Sequence, residues 1–255
     1  MTASILPLAP ELWPFAFAVA MLAGFVKGAV GFALPLVMIS GLTVFLEPKL
    51  ALAGLILPAV LANLAQALRG GWAETRAAIA EFWRLIAAVA VMVFVTAQLV
   101  TAMPDRVFFL AVGVPVLAMS AIQLFGVAFV VRGPRAVWDV GLGLISGAIG
   151  GVSGVWGPPL VLYLLALKVP RARHMAVQGV VYVSGGVLLL LGHLNSGVLN
   201  RETLPLSIAL VLPAGLGIAL GLRLGDRLNP ERLRRMTLVV LVLAGLNLIR
   251  RGLTG

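Results

Sequence analysis

Only one ionisable side chain lies deep within an apolar stretch: Lys27, in the segment Gly24-Phe25-Val26-Lys27-Gly28-Ala29-Val30-Gly31-Phe32-Ala33-Leu34-Pro35. All nine acidic residues fall at the ends of apolar runs or in the connections between them. A positive centre with no opposing carboxylate favours anions and disfavours cations. It also argues against a carboxylate proton relay or a sodium site built from acids. The surrounding glycines let backbone approach a solute, and consecutive amides form anion-binding concavities. A helix that restarts in mid-membrane adds unpaired N–H groups and a partial positive charge. The candidate ligands here are the Lys27 ammonium and the amides around Gly28 and Gly31, with Pro35 opening the second piece.

The same interruption recurs in Gly147-Ala148-Ile149-Gly150-Gly151-Val152-Ser153-Gly154-Val155-Trp156-Gly157-Pro158-Pro159, with 123 positions separating Gly24 from Gly147. Its candidates are the amides around Gly151 and Gly154, the start at Pro158, the Ser153 hydroxyl as a donor to a solute oxygen, and Trp156. The indole either walls a cavity or simply packs. Gly150 occupies the position of Lys27, so a site shared by the two segments cannot be symmetric. Gly24-x3-Gly28 and Gly147-x3-Gly151 also fit the small-x3-small pattern of close helix packing. On the apolar runs that follow, Asn63 with Gln66 and Gln178 with Tyr182 are three or four apart and share a helix face. Such pairs serve as interhelical glue or as support for the site, and Gln178, with Ser153 and Trp156, is a candidate for selectivity.

Other chemistries find no residues. There is no cysteine, and His174 and His193, the only two histidines, lie near run boundaries without metal-ligand spacing. No nucleophile with a base and an orienting acid can be assembled from the intramembrane residues. An enzyme, a cofactor and a metal are not expected.

The elements that must position these residues are membrane helices. Hydrophobic residues make up 61% of the chain and charged residues 11%, against about 25% charged in soluble domains. Mean hydropathy is +1.10. The formal charge of +10 is scattered through short connections, with no aromatic-interleaved patch, so it reads as a topology signal and not as a nucleic-acid surface. Met1 to Glu11 has no basic region ahead of the first apolar run, which is therefore expected to be retained.

Apolar runs occupy residues 12–46, 50–68, 82–102, 106–131, 138–168, 174–195, 203–225 and 233–249. Six fit one crossing of about 20 residues. The first and fifth would measure about 45–52 Å as straight helices, against about 30 Å of hydrocarbon. Cut at the glycines, each is expected to give two pieces too short to span comfortably, as in a helix broken at mid-depth.

The duplication extends further. Pro48-Lys49 answers to Pro170-Arg171, and Pro104-Asp105-Arg106 to Pro230-Glu231-Arg232. The chain is therefore expected to be an all-α polytopic membrane protein of two four-run repeats, 1–131 and 136–255, forming one membrane domain. If the broken runs return to the side they entered from, 13 basic residues share one side and 5 the other. That is a positive-inside bias, and it makes the repeats inverted, with both termini on the non-cytoplasmic side. Paired broken helices in inverted repeats are the pattern of a secondary transporter with its site near the midplane.

The two glycine segments, their following Pro-basic turns and the chain length resemble the TauE/SafE family of bacterial membrane proteins. The first segment carries Ala29 and Val30 where the family motif often has more glycines. The resemblance implies a permease of the bacterial cytoplasmic membrane for sulfite, sulfonates or related sulfur-containing anions, commonly an exporter. The expected partners are thus such an anion and the lipid bilayer, with room for a homo-oligomer and none for nucleic acid. An importer of an organosulfonate or carboxylate-like anion is the alternative within the class. A non-transporting scaffold is the alternative outside it.

Overall fold

The computed structural model describes residues 8–126, 131–225 and 230–254. The first seven residues, the end of the fourth apolar run and the connection holding Asp226 and Arg227 lie outside the described residues. The helices are α1 (Trp13–Val30), α2 (Leu34–Leu42), α3 (Pro48–Leu68), α4 (Trp72–Ala97), α5 (Asp105–Leu124), α6 (Arg135–Ser153), α7 (Gly157–Ala166), α8 (Arg171–Ser196), α9 (Leu204–Gly225) and α10 (Pro230–Thr254). No strand occurs among the described residues. Eight helices, all but α2 and α7, are long and apolar enough to cross a bilayer.

Both long runs break, but unequally. The break in the first run falls at 31–33 and leaves α1 with 18 residues and α2 with 9. In the fifth run it falls at 154–156 and leaves α6 with 19 and α7 with 10. The expectation of two short pieces is corrected: each first piece reaches about 27 Å or more, and only the second is short. The reason lies in the glycines. Gly24, Gly28, Gly147 and Gly151 stay helical, and only the third of each set turns left-handed, Gly31 at φ 87° and Gly154 at φ 71°.

The helical glycines are where backbones touch. A Cβ on Gly24 would lie 2.1 Å from the Ala214 carbonyl oxygen, and one on Gly28 2.4 Å from that of Ile218. Gly147 and Gly151 meet the Val89 and Val93 carbonyls of α4 in the same way, at 2.7 and 2.4 Å. The small-x3-small reading therefore holds for these four positions.

These contacts also give helix directions. Residues 24 and 28 lie beside 214 and 218, so α1 and α9 are parallel; 143, 147 and 151 lie beside 85, 89 and 93, so α6 and α4 are parallel. By contrast α3 and α8 are antiparallel, with Gly186 on Val60 and Gly179 on Ala67, as are α5 and α10, with Gly113 on Leu248 and Gly252 on Leu110. Gly41 of α2 returns to Val19 of α1, and Tyr163 of α7 returns to Asp139 of α6. Each broken run is thus a helical hairpin. The ends of α3, α5, α7 and α9 and the starts of α4, α6, α8 and α10 consequently lie at one end of the bundle, and the start of α1 and the end of α10 at the other.

Helices α3 and α8 form the centre, each with 61% of its best spanning window buried, against 28–44% for the other six. Pro58 inside α3 cannot bond the Gly54 carbonyl, and the Ser207 hydroxyl of α9 supplies a contact to that oxygen at 3.5 Å. The exposed apolar side chains on the outer helices form the lipid-facing surface of a multi-pass membrane protein.

Gly24→Ala is expected to destabilise the fold by about 1–3 kcal/mol, because the methyl must displace backbone. Gly215→Ala, where a Cβ meets nothing within 4 Å, is expected to be neutral or to gain up to about 1 kcal/mol of helix propensity. Thermal unfolding in detergent checks the pair; equal midpoints would contradict the packing role.

Candidate functional site

The two breaks meet. Gly154, Val155, Trp156 and Gly157 from the second and Phe32, Ala33, Pro35 and Leu36 from the first line one cavity of about 320 Å³, counted to its open mouth. Lys27, Asn63 and Tyr182 complete the lining. The level of this meeting follows from α9: Gly24 packs at Ala214, half-way along that helix. Gly31 lies seven residues further on, about 10 Å beyond that midpoint.

Lys27 is 5% exposed. Its ammonium donates to Asn63 Oδ1 at 2.7 Å and to Gln66 Oε1 at 2.8 Å, and stands 5.6 Å from the Tyr182 ring centroid. Three hydrogens on the nitrogen leave one donor beyond these two bonds. Asn63 is held in turn by Nδ2 donating to the Tyr182 carbonyl at 3.3 Å, which ties the two central helices together behind the lysine. The amide orientation of Gln66 is dictated by the cation: its oxygen must face the ammonium, and its buried Nε2 has no partner. The Tyr182 hydroxyl is likewise buried without a hydrogen-bond partner. It stands 2.9 Å from where a Cβ on Gly157 would be, so it points at the start of α7.

The cavity is therefore rich in donors and poor in acceptors. No carboxylate among the described residues lines it, and its remaining walls are apolar: Phe32, Leu36, Val155 and Trp156. Helix starts at Leu34 and Gly157 leave first-turn amides without intrahelical acceptors, although Pro35, Pro158 and Pro159 contribute no N–H. Proline takes two of the three positions at the start of α7, and the Tyr182 hydroxyl stands there in their place.

The other sequence candidates are distributed differently. The amides of Gly28 and Gly151 lie inside helical ladders, while those of Gly31 and Gly154 donate to the Lys27 and Gly150 carbonyls, both at 2.7 Å. Expecting these amides as free donors is corrected: closing the first helix of each hairpin uses them. Ser153 Oγ donates to the Ile149 carbonyl at 2.7 Å and accepts from the Val155 N–H at 3.1 Å, so it shapes the break and is absent from the cavity lining. Gln178 Nε2 lies 3.1 Å from His174 Nε2, one helical turn from Tyr182 and outside the lining. Pro158 begins α7 beside Gly157.

Trp156 explains the asymmetry at Gly150. A Cβ on Gly150 would lie 2.4 Å from the indole, so the ring fills the space that a counterpart of Lys27 would need. It also packs edge-on to Tyr182, with centroids 6.3 Å apart. Sequence reasoning missed Phe32, Ala33, Leu36, Val155 and Gly157 as walls; apolar residues in an apolar run carry no distinguishing signal. Among the described residues no group of three or more His, Asp or Glu could hold a metal.

The family model for the sulfite exporter TauE/SafE matches residues 16–248, across both breaks and both central helices. The chain belongs to the TauE/SafE family. It is thus a membrane transport protein and not an enzyme. No curated protein and no solved structure matches the chain. The TauE/SafE match and the paired breaks therefore bear on the same part of the molecule.

The first break carries a removable strain. Ala33 sits at φ 77°, a region in which a Cβ costs about 1–2 kcal/mol. Ala33→Gly is expected to raise the thermal midpoint in detergent by relieving this, net of added chain entropy. Gly154→Ala is expected to lower it, since its Cβ would combine φ 71° with a 2.9 Å approach to Leu55. The same sign for both substitutions would contradict the break geometry.

Proposed function

We propose that this chain is a secondary transporter of small sulfur-containing oxyanions, sulfite or sulfonate in type, working as an exporter in a bacterial cytoplasmic membrane. The observation that carries the reading is the Lys27 cavity: one buried ammonium, the unpartnered Tyr182 hydroxyl and two helix starts converge where no acid is present. A sulfur oxyanion is an acceptor through every oxygen, so it complements a cavity lined by donors. With a single cation, a monoanion leaves the loaded site neutral, whereas a dianion leaves a net buried charge. Hydrogensulfite and alkanesulfonates meet that condition and sulfate does not.

Alternating access follows from two inverted repeats, 1–131 and 136–255. The helix pairing supports this: when the halves are exchanged, the antiparallel pairs α3–α8 and α5–α10 each map onto themselves and the parallel pairs α1–α9 and α4–α6 exchange with one another. One repeat rocks against the other around the site where the two breaks meet. Each state opens the cavity to one side. In the unloaded protein Asn63 and Gln66 occupy the ammonium, and the arriving anion takes over that role. Ser153 acts indirectly, by fixing the break, and Gln178, bonded to His174 one turn back on α8, lies outside the cavity. The positive-inside bias places the α3–α4 and α9–α10 connections in the cytoplasm and both termini outside.

Reconstituted into proteoliposomes, the protein is expected to move sulfite at pH 6 and methanesulfonate while excluding sulfate. Lys27→Met should abolish this flux with the oligomeric profile in detergent unchanged. Tyr182→Phe should weaken apparent affinity about tenfold, the value of about 1.4 kcal/mol for one bond to a charged acceptor. Undiminished flux in Lys27→Met would overturn the reading, and sulfate carried as well as methanesulfonate would overturn the charge argument.

A further inference from the structure

A second, open cavity lies on the other flank of Lys27. Gln66, Arg69, Met175 and Leu222 line it together with Lys27, Gly28 and Gly31. Lys27 alone lines both cavities. Its two acceptors divide accordingly: Asn63 belongs to the lining of the inner cavity, and Gln66, three residues on, to that of the second.

We infer that this second cavity is a vestibule in which the oxyanion is first held between Arg69 and Lys27 before the lysine passes it inward. The inference rests on the anion-transporter reading above and extends it to the route. Arg69 follows the last residue of α3, is exposed, and has no ion-pair partner among the described residues. Glu74 and Glu81, on the helix that follows, are engaged by Arg173 and Arg135, at 3.3 and 3.2 Å. No acid among the described residues lines the vestibule. The Gln66 Nε2 is a buried donor without an acceptor, and an oxyanion oxygen would satisfy it.

Position fixes which side the vestibule serves. Arg69 and Leu222 stand near the ends of α3 and α9, at the end of the bundle where the basic connections cluster. The route therefore begins on the basic side. The Met175 thioether, whose Cε and Sδ lie 3.0 and 3.3 Å from the Cβ position of Gly31, covers the first break between vestibule and inner cavity. A longer side chain at position 31 would seal that contact.

Sided flux separates this inference from the parent reading. Sulfite entry is measured in membrane vesicles of both orientations, for wild type, Arg69→Gln, Arg69→Lys and Lys27→Met. Arg69→Gln is expected to raise the KM about five- to tenfold for sulfite offered to the basic side with the maximal rate from that side unchanged, and to lower the maximal rate from the opposite side by the same factor with its KM unchanged. Arg69→Lys should recover most of the loss. An unchanged KM from the basic side in Arg69→Gln, or an equal rise in KM from both sides, would overturn the vestibule while Lys27→Met inactivity leaves the carrier reading standing. Full flux in Lys27→Met would remove both.

Discussion

A lysine ammonium inside a bundle of apolar helices must find acceptors, and here no carboxylate among the described residues pairs with it. That single constraint organises the centre of the molecule. Asn63 and Gln66, one helical turn apart on α3, supply neutral oxygens. Their opposite ends are then committed: Asn63 bonds back to α8, while Gln66 is left with a buried and unanswered N–H group. A carboxylate partner would have closed the site with a permanent ion pair. Amide oxygens hold the cation while leaving its charge uncompensated, which suits it to exchange partners with a passing anion.

Bringing the lysine to that place requires very close helix packing. Glycine at 24, 28, 147 and 151 lets α1 lie against α9 and α6 against α4 at backbone contact, and the third glycine of each set then ends the helix. Packing and breaking are thus divided among neighbouring glycines. The short returning helices α2 and α7 carry the chain back toward the end from which it came, so both breaks face the central α3–α8 pair. Proline at the start of each returning helix fixes its direction at the expense of N–H donors, and the Tyr182 hydroxyl stands at the poorer of the two starts.

Much of this was legible in the residues. The excess length of two apolar runs and their shared Gly-x3-Gly-x2-Gly-x3-Pro spacing located both hairpins, and the charge asymmetry anticipated that they return. Lys27 stood out because one charge among apolar neighbours is conspicuous, and Asn63, Gln66 and Tyr182 because polar side chains are rare on such helices. What escaped was contact-dependent. Spacing cannot say which glycine of three turns left-handed, and so it offered the Gly28, Gly31, Gly151 and Gly154 amides as free donors although helix closure uses them. Ser153 looks like a ligand until its hydroxyl is seen bridging Ile149 and Val155. The absence of a second lysine at Gly150 becomes intelligible only with Trp156 lying across it.

The central claim is that a negatively charged oxyanion rests between the Lys27 ammonium and the start of α7. Selenite shares the shape and charge of sulfite and scatters anomalously. Diffraction from crystals grown with selenite is predicted to give an anomalous peak within hydrogen-bond reach of Lys27 Nζ and Tyr182 Oη, with the ammonium moved off at least one of its two amide oxygens. A peak elsewhere, or none while Lys27 stays bonded to both Asn63 and Gln66, would contradict the account.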